Sequence, residues 1–600
     1  MDRRSLIVGA GAAALAPGLA ATAAAARRVR PGDAGWPSAA QWEGLSRQVG
    51  GRLIRPAPLA ADCAAGPESA ACTALLRNLR NPFFIGDQAG GTQVSGWFDA
   101  WTPATSAYAV EAKDADDVAA AVNFARTHRL RVAVKGGGHS YQGTSNAPDS
   151  LLVWTRRMHA VTLHDAFVAQ GCAAVQAPAP AVTLEAGAMW IDAYDAVTTK
   201  AGRYVQGGGC TSVGVAGLVQ SGGFGSYSKA FGTAAAWLLE AQIVTADGAV
   251  RTVNACRDSE LFWAIKGGGG GSFGVVTKLT LRTHDLPAKF GGLDATVRAA
   301  SDEAFQRLLG GFLGFCESAL LSPHWGEQVF VRPGNILKIS MVSQGLDEAQ
   351  QAAIWAPFFA FVRASPGDFS FVEQPDFGAG PSQAWWDVVA RRKRGSTALI
   401  ADDRPGAPAH HAWWDGDQDQ VGAYLHGYDS MWLPASLLAA DRREALATAL
   451  AEASRHMAVS LHFNKGLAGA PEEALAAARD TATNPDVLGA FALAIIATGG
   501  PAQYPGLPGV PSGAALARAN AAAVDAAAAA LRKVAPRAGS YVSESNYFNA
   551  DWRQAFWGRN YPRLAALKAR YDPGGLFTVH HGVGSEAWSA DGFTRVNSPV

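Results

Sequence analysis

Four glycine clusters within one stretch of chain, roughly 104–284, constrain the fold more than any other feature. They are Gly136-Gly137-Gly138, Gly207-Gly208-Gly209, Gly222-Gly223 and the run Gly267 to Gly271. Each follows or interrupts a strand-like or helical segment. Without Cβ atoms, successive backbone N–H groups can turn inward and cradle a diphosphate, so the set points to a large phosphate-bearing ligand. A single loop of this kind is equally well a turn. Four in one segment, two of them carrying a nucleophile, favour the cradle.

The elements around them are legible. Tyr108 to Glu111 reads as a strand, and Asp114 as an N-cap with Asp116 and Asp117 in the first turn. Val118, Val122 and Ala125 fall at helical spacing, and Arg131 to Lys135 returns as a strand into the first glycine loop. Asp247-Gly248 predicts a hairpin turn between Gln242–Thr245 and Val250–Val253. The boundaries predicted are a leader at 1–26, an N-terminal arm at 27–100, a cofactor domain at 101–287, a second domain at 288–540 and a closing segment at 541–600. Amphipathic helices are expected near Leu437–Met457 and Ala514–Val534.

Two catalytic patterns occur by accident. Gly269 to Gly274 fits G-x-G-x-x-G, and Gly270-Gly271-Ser272-Phe273-Gly274 fits a nucleophile elbow. Both need a helix immediately afterwards, whereas Val275 to Leu281 reads as strand, so both are set aside. No H-E-x-x-H or C-x-x-C is present, and no metal site is expected.

Charge excludes other classes. Lys+Arg and Asp+Glu are both 51, which argues against a dedicated nucleic-acid binder. The start of the chain, Asp2-Arg3-Arg4-Ser5-Leu6-Ile7, then an Ala/Gly-rich apolar stretch and small residues to Ala26, predicts a twin-arginine export signal. The mature chain is then periplasmic or secreted, and no later run of about 18 uninterrupted apolar residues predicts a membrane span. Six cysteines fit an oxidising destination. Cys63 and Cys72 are the expected bridge; the pairing of Cys172, Cys256 and Cys316 stays open.

The two nucleophiles are His139 and Cys210, each among glycines where packing gains nothing. Imidazole nitrogen and thiolate sulfur readily bond an electrophilic cofactor near neutral pH. Arg131 to Tyr141, Gly209 to Gly217, Tyr541-Val542-Ser543-Glu544 and Tyr571 to Phe577 together resemble the berberine bridge enzyme-like branch of the vanillyl-alcohol oxidase flavoprotein family, over about Trp101 to Trp588.

That resemblance implies an α+β, two-domain PCMH-type FAD-binding fold whose substrate domain is built on a larger antiparallel sheet. It implies FAD held bicovalently through His139 and Cys210. Gly136, Gly137, Gly138, Ser140, Val213, Gly214, Gly217, Gly222, Gly223, Gly274 and Val276 are the further expected cofactor contacts. Val213, three residues after the cysteine, resembles members that leave room for dioxygen beside the flavin. Tyr541 is the expected base, with Glu544 and Lys465 as further catalytic candidates. The family's asparagine is Ser543 here.

A tyrosine base needs its pKa lowered by a cation or hydrogen bonds. Lys465 is one source and His462 another, and strand alternation predicts that only one of the two faces the pocket. The same reasoning predicts that at most one tryptophan of each pair, Trp385/Trp386 and Trp413/Trp414, lines a groove. The expected reaction is oxidation of a CH–OH group, on an oligosaccharide or other alcohol, with dioxygen reduced to hydrogen peroxide. The alternative is a secondary-metabolite or aromatic-alcohol oxidoreductase, or a dehydrogenase using another acceptor.

Overall fold

The structure, a computed structural model, describes residues 27–509 and 513–596, so the expected export signal lies outside the described residues. Two small sheets and one large sheet organise it. In the first, Tyr108–Glu111, Ser150–Trp154 and Arg131–Lys135 run parallel. Parallel strands need a crossover, and the helix Ala115–Thr127 supplies it. Asp114 caps that helix by accepting from Asp117 N at 3.0 Å.

The residues expected as a weakly periodic arm are built into this domain instead. Leu53–Ile54 pairs antiparallel with Tyr108–Glu111, and the stretch carries four short helices. Helices of 5–10 residues give too few turns for a periodic signal. Arg52 binds Asp117 through two guanidinium nitrogens at 2.7–3.0 Å, tying the arm to the crossover helix.

The second sheet is antiparallel, in the order Val161–Phe167, Ala179–Glu185, Val275–Arg282, Leu238–Val244, Val250–Asn254. The Asp-Gly hairpin is present, Val244 facing Val250 and Gly248 at φ +80°. A disulfide joins Cys172 to Cys256 and another joins Cys63 to Cys72; Cys316 is a buried free thiol.

The third sheet has seven antiparallel strands, ordered Phe369–Pro381, Lys289–Ala299, Ile336–Gln344, Trp325–Arg332, Val459–His462, Ala490–Gly500, Tyr424–Pro434. One face packs against helices Asp302–Phe315, Glu348–Ala364, Arg443–His456 and Ala514–Arg532 around a core that includes Phe305, Phe312, Trp325 and Trp355. Ala514–Arg532 is long and apolar enough to cross a bilayer by length and composition. Arg518, Asn520 and Asp525 interrupt its apolar run, and Val524, Ala527, Ala528 and Leu531 sit in that core.

The other face of the seven-stranded sheet looks toward the two smaller sheets, and the site lies between them.

Candidate active site

Two cavities meet beneath the large sheet. The deeper is a cleft of about 310 Å³ bordered by Gly136, Gly137, Gly138, His139, Ser140, Gly214, Gly217, Gly274 and Val276. The wider is a chamber of about 1640 Å³ under the sheet, bordered by Glu327, His462, Lys465, Trp385 and Trp414. Cys210, Val213, Asp417, Tyr541 and Glu544 border both. Residues from three separate parts of the chain therefore stand where a narrow space borders a roomy one.

Backbone contact builds the cleft. The strand Arg131–Lys135 ends at the first glycine loop, whose Gly138 has φ +82°. A Cβ on Gly137 would lie 3.1 Å from Gly214 N and Ser212 O, and one on Gly214 would lie 3.0 Å from Gly137 N. The histidine loop and the cysteine loop thus touch through their main chains, a spacing a side chain would break. Trp190 N and Ile191 N donate to Val213 O and Thr211 O at 3.1 and 2.9 Å, fixing the cysteine loop to the helix behind it. Beneath the histidine loop, buried Lys135 donates to Gln88 O, Ala89 O and Gly91 O at 2.5–3.0 Å.

Gly222 and Gly223 do not border the cleft. A Cβ on Gly222 would approach Thr483, and one on Gly223 would meet Ala234 and Leu218, so these glycines serve close packing behind the site. Gly223 still matters to it, because its backbone N–H acts to lower the Tyr541 pKa.

The cleft suits a ligand rich in donors and acceptors. Gln93 Oε1, Gln142 Oε1, Asp417 Oδ2 and His581 Nδ1 are buried without protein partners, and all four residues border it. Orphaned buried polar atoms cost about 1–3 kcal/mol each unless a bound group satisfies them. Ribityl hydroxyls and a heteroaromatic ring N–H offer the donors that the three oxygens lack.

Electrostatics separates the two nucleophiles. Burial pulls the His139 imidazole down to about 4, so it is neutral at pH 7 with a lone pair to share; Ser212 Oγ lies 3.2 Å from its Nε2. Burial, with the Asp417 carboxylate beside it, pushes the Cys210 thiol well above its ordinary value. Cys210 Sγ lies 3.5 Å from Asp417 Oδ1, and burial raises Asp417 to about 6. Asp417 is a site residue that sequence reasoning missed: it belongs to a short turn, Asp415–Asp417, with no motif around it.

Tyr541 is buried, its ring edge-on to Phe224 at 4.9 Å. Burial and then the Glu544 charge raise its pKa, while hydrogen bonds from Ser543 and Gly223 act in the opposite direction. The cation expected to assist it is engaged elsewhere, because Lys465 Nζ donates to Glu544 Oε2.

Two expectations need correction here. The strand Val459–His462 is central, paired on both sides. It ends at His462 and gives way to a 3-10 turn over Phe463–Lys465, so alternation lapses and His462 and Lys465 both border the chamber. Trp413 and Trp414 both border it too, although Trp413 is largely buried against Phe83. Trp386 does not, being stacked on Tyr194 with centroids 4.0 Å apart.

A second residue missed from sequence is Glu327. Trp325, Val329 and Val331 of its strand point into the helix-packed core, and alternation would send Glu327 there as well. At φ +60° it borders the chamber instead, hydrogen-bonded to Ser226. A non-glycine residue in the left-handed region is held there by its surroundings, and such strain clusters at functional sites.

Known proteins resemble the chain in sequence and fold. Residues 106–254 match the FAD binding domain and residues 527–584 the domain described as berberine and berberine like. The chain is 28% identical to the VAO-type flavoprotein oxidase VAO615 of Thermothelomyces thermophilus over 95% of both chains. It is 27% identical to the FAD-linked oxidoreductase malF of Malbranchea aurantiaca, covering 95% of this chain and 94% of that one. Among solved structures, VAO-type flavoprotein MtVAO615 of Myceliophthora thermophila superposes with a TM-score of 0.76 at 26% identity, over 95% of this chain and 100% of that one. The glucooligosaccharide oxidase of Acremonium strictum, described with a 6-S-cysteinyl, 8α-N1-histidyl FAD, shares the fold at a TM-score of 0.59 and 18% identity, over 82% of this chain and 94% of that one.

Proposed function

We propose that this chain, whose residues 106–254 match the FAD binding domain and 527–584 the berberine-like domain, is an FAD-linked oxidoreductase of the vanillyl-alcohol oxidase type that oxidises a CH–OH group of a bulky alcohol, with dioxygen as the final acceptor and hydrogen peroxide as product. The observation that carries this reading is the shared border: Cys210, Val213 and Tyr541 stand where the cofactor cleft borders the chamber.

FAD, when bound, supplies the two-electron acceptor. His139 and Cys210 are its two attachment points in this proposal, the neutral imidazole on one loop and the thiol beside Asp417 on the other. The likeness to the Acremonium oxidase supports that reading. Once it has lost its own proton to solvent, the Tyr541 phenolate receives the substrate's hydroxyl proton, so hydride leaves an alkoxide-like carbon rather than building a cation. Gly223 N–H and Ser543 act to lower the Tyr541 pKa. Lys465 holds the Glu544 charge, which otherwise opposes ionisation of Tyr541. Val213, which borders both cavities, is in this proposal the residue that leaves room for dioxygen beside the flavin.

Chamber size favours a substrate larger than a simple alcohol. Its polar floor suits an oligosaccharide; its wall of Trp385, Trp413, Trp414 and Tyr428 equally supports an aromatic secondary metabolite, the reading that goes with another electron acceptor. Export by the twin-arginine route is part of the proposal, supported by Arg3-Arg4 and by disulfides that suit an oxidising compartment. An anaerobic panel of oligosaccharides and aromatic alcohols tests the function. A true substrate bleaches the flavin, and admitting air restores the colour with stoichiometric peroxide. Bleaching without peroxide assigns a dehydrogenase; no bleaching by any alcohol overturns the reading.

A further inference from the structure

Away from the cleft, on the far side of the cysteine loop, two consecutive histidines converge on one carboxylate oxygen. His410 Nε2 and His411 Nε2 lie 2.9 and 3.0 Å from Asp192 Oδ1. The other oxygen, Oδ2, is occupied in accepting from Met189 N at 2.9 Å. Neighbouring side chains ordinarily diverge, yet these two rings meet at 89° with their Nε2 atoms aimed at one point.

The surroundings hold that arrangement. His411 is buried and stacked on Phe83 at 4.3 Å. Behind His410, Asp195 Oδ2 lies 3.6 Å from Nδ1, the position of a carboxylate that fixes a ligand imidazole's tautomer from outside the coordination sphere. The His410 side chain is 29% exposed, so one side of the cluster reaches solvent.

We propose that Asp192, His410 and His411 form a divalent-cation site, with zinc the best-matched ion. Two imidazoles and one carboxylate are a borderline donor set, and the solvent side leaves a fourth position for water. The three ligand atoms lie within 4.8 Å of one another. Zinc bonds of about 2.0–2.2 Å set ligand separations near 3.3 Å, so the two histidine–carboxylate distances need open by only about 0.3–0.4 Å. Sequence gave no sign of it, because Asp192 and the histidines are 218 residues apart and no metal motif joins them.

The site is a positioning device, not a catalytic one. Asp192 belongs to the helix that fixes the cysteine loop, and Ala412, next after the histidines, accepts from Thr211 Oγ1 at 2.5 Å. A bound ion would tie these two supports of the Cys210 loop to each other.

The test uses untagged, flavin-loaded protein, dialysed against EDTA, reloaded with zinc sulfate and gel-filtered. One zinc per chain is expected, and cobalt(II) in its place should give intense d–d bands to the red of the flavin absorption. His410→Ala should lose both signals while keeping its flavin, which shows that it has folded; His410→Cys, which replaces one ligand atom by another, should restore them. Zinc absent from the wild type, or retained equally by His410→Ala, overturns the site. Neither outcome bears on the oxidase reading, since metal content is measured without turnover.

Discussion

Cys210 Sγ faces the Asp417 carboxylate at 3.5 Å, the two approaching from segments 207 residues apart. The thiol is held protonated by burial and by that negative charge, and Asp417 is the acceptor beside it for the proton it must lose to become a nucleophile. In the proposed attachment, Asp417→Asn should slow formation of the cysteinyl linkage at least tenfold and leave the histidyl linkage intact. Because Asp417 is raised to about 6, the wild-type linkage should form more slowly below pH 6, where the carboxyl is protonated, and the Asn variant should lose that dependence. Flavin reconstitution followed by peptide mass analysis reads both linkages.

Attachment itself has a direct check. Acid-precipitated wild type should keep its yellow colour in the pellet. His139→Ala and Cys210→Ala should each keep flavin through the remaining link, and only the double variant should release it into the supernatant.

Tyr541→Phe removes the proposed proton acceptor and little else, since the ring's contact with Phe224 survives. Stopped-flow anaerobic flavin reduction should slow by about 10²–10⁴-fold. A near-normal rate would take Tyr541 out of the mechanism.

The Lys465–Glu544 pair should set the pH profile. The Glu544 charge raises the Tyr541 pKa, so Glu544→Gln should lower it and move the rising limb of kcat/KM to lower pH. Lys465→Met leaves Glu544 uncompensated and should move the limb the other way. Coincident profiles for the two variants would separate Tyr541 from this pair.

Gly137→Ala and Gly214→Ala should each force the histidine and cysteine loops apart, because the new methyl group would meet backbone at 3.0–3.1 Å. Flavin content per chain should fall sharply in both. Gly310→Ala, on the helix Asp302–Phe315 behind the large sheet, is the control, since a Cβ there meets nothing within 4 Å of protein and the residue borders neither cavity.

The cofactor side of this protein was legible from local sequence. Asp114 as a cap, Asp247-Gly248 as a hairpin turn, the strand after Gly274 and the glycine loops around His139 and Cys210 each depend on neighbours a few residues away. Backbone conformation and local hydrogen bonds are short-range demands, and residue type meets them directly. Gly222 and Gly223 show the limit: sequence marks a glycine as needed without saying whether a ligand or another side chain comes close to it.

What sequence determined by itself, then, is where the chain turns, which stretches beside the glycine loops form strands, and that His139 and Cys210 sit on those loops. Only tertiary structure decided what stands opposite them. Asp417 beside Cys210, Glu327 turned out of its core position, Lys465 committed to Glu544, and two histidines on Asp192 all join segments remote in sequence. Such meetings are fixed by how sheets and helices pack, and packing is a property of the whole core rather than of any window of residues.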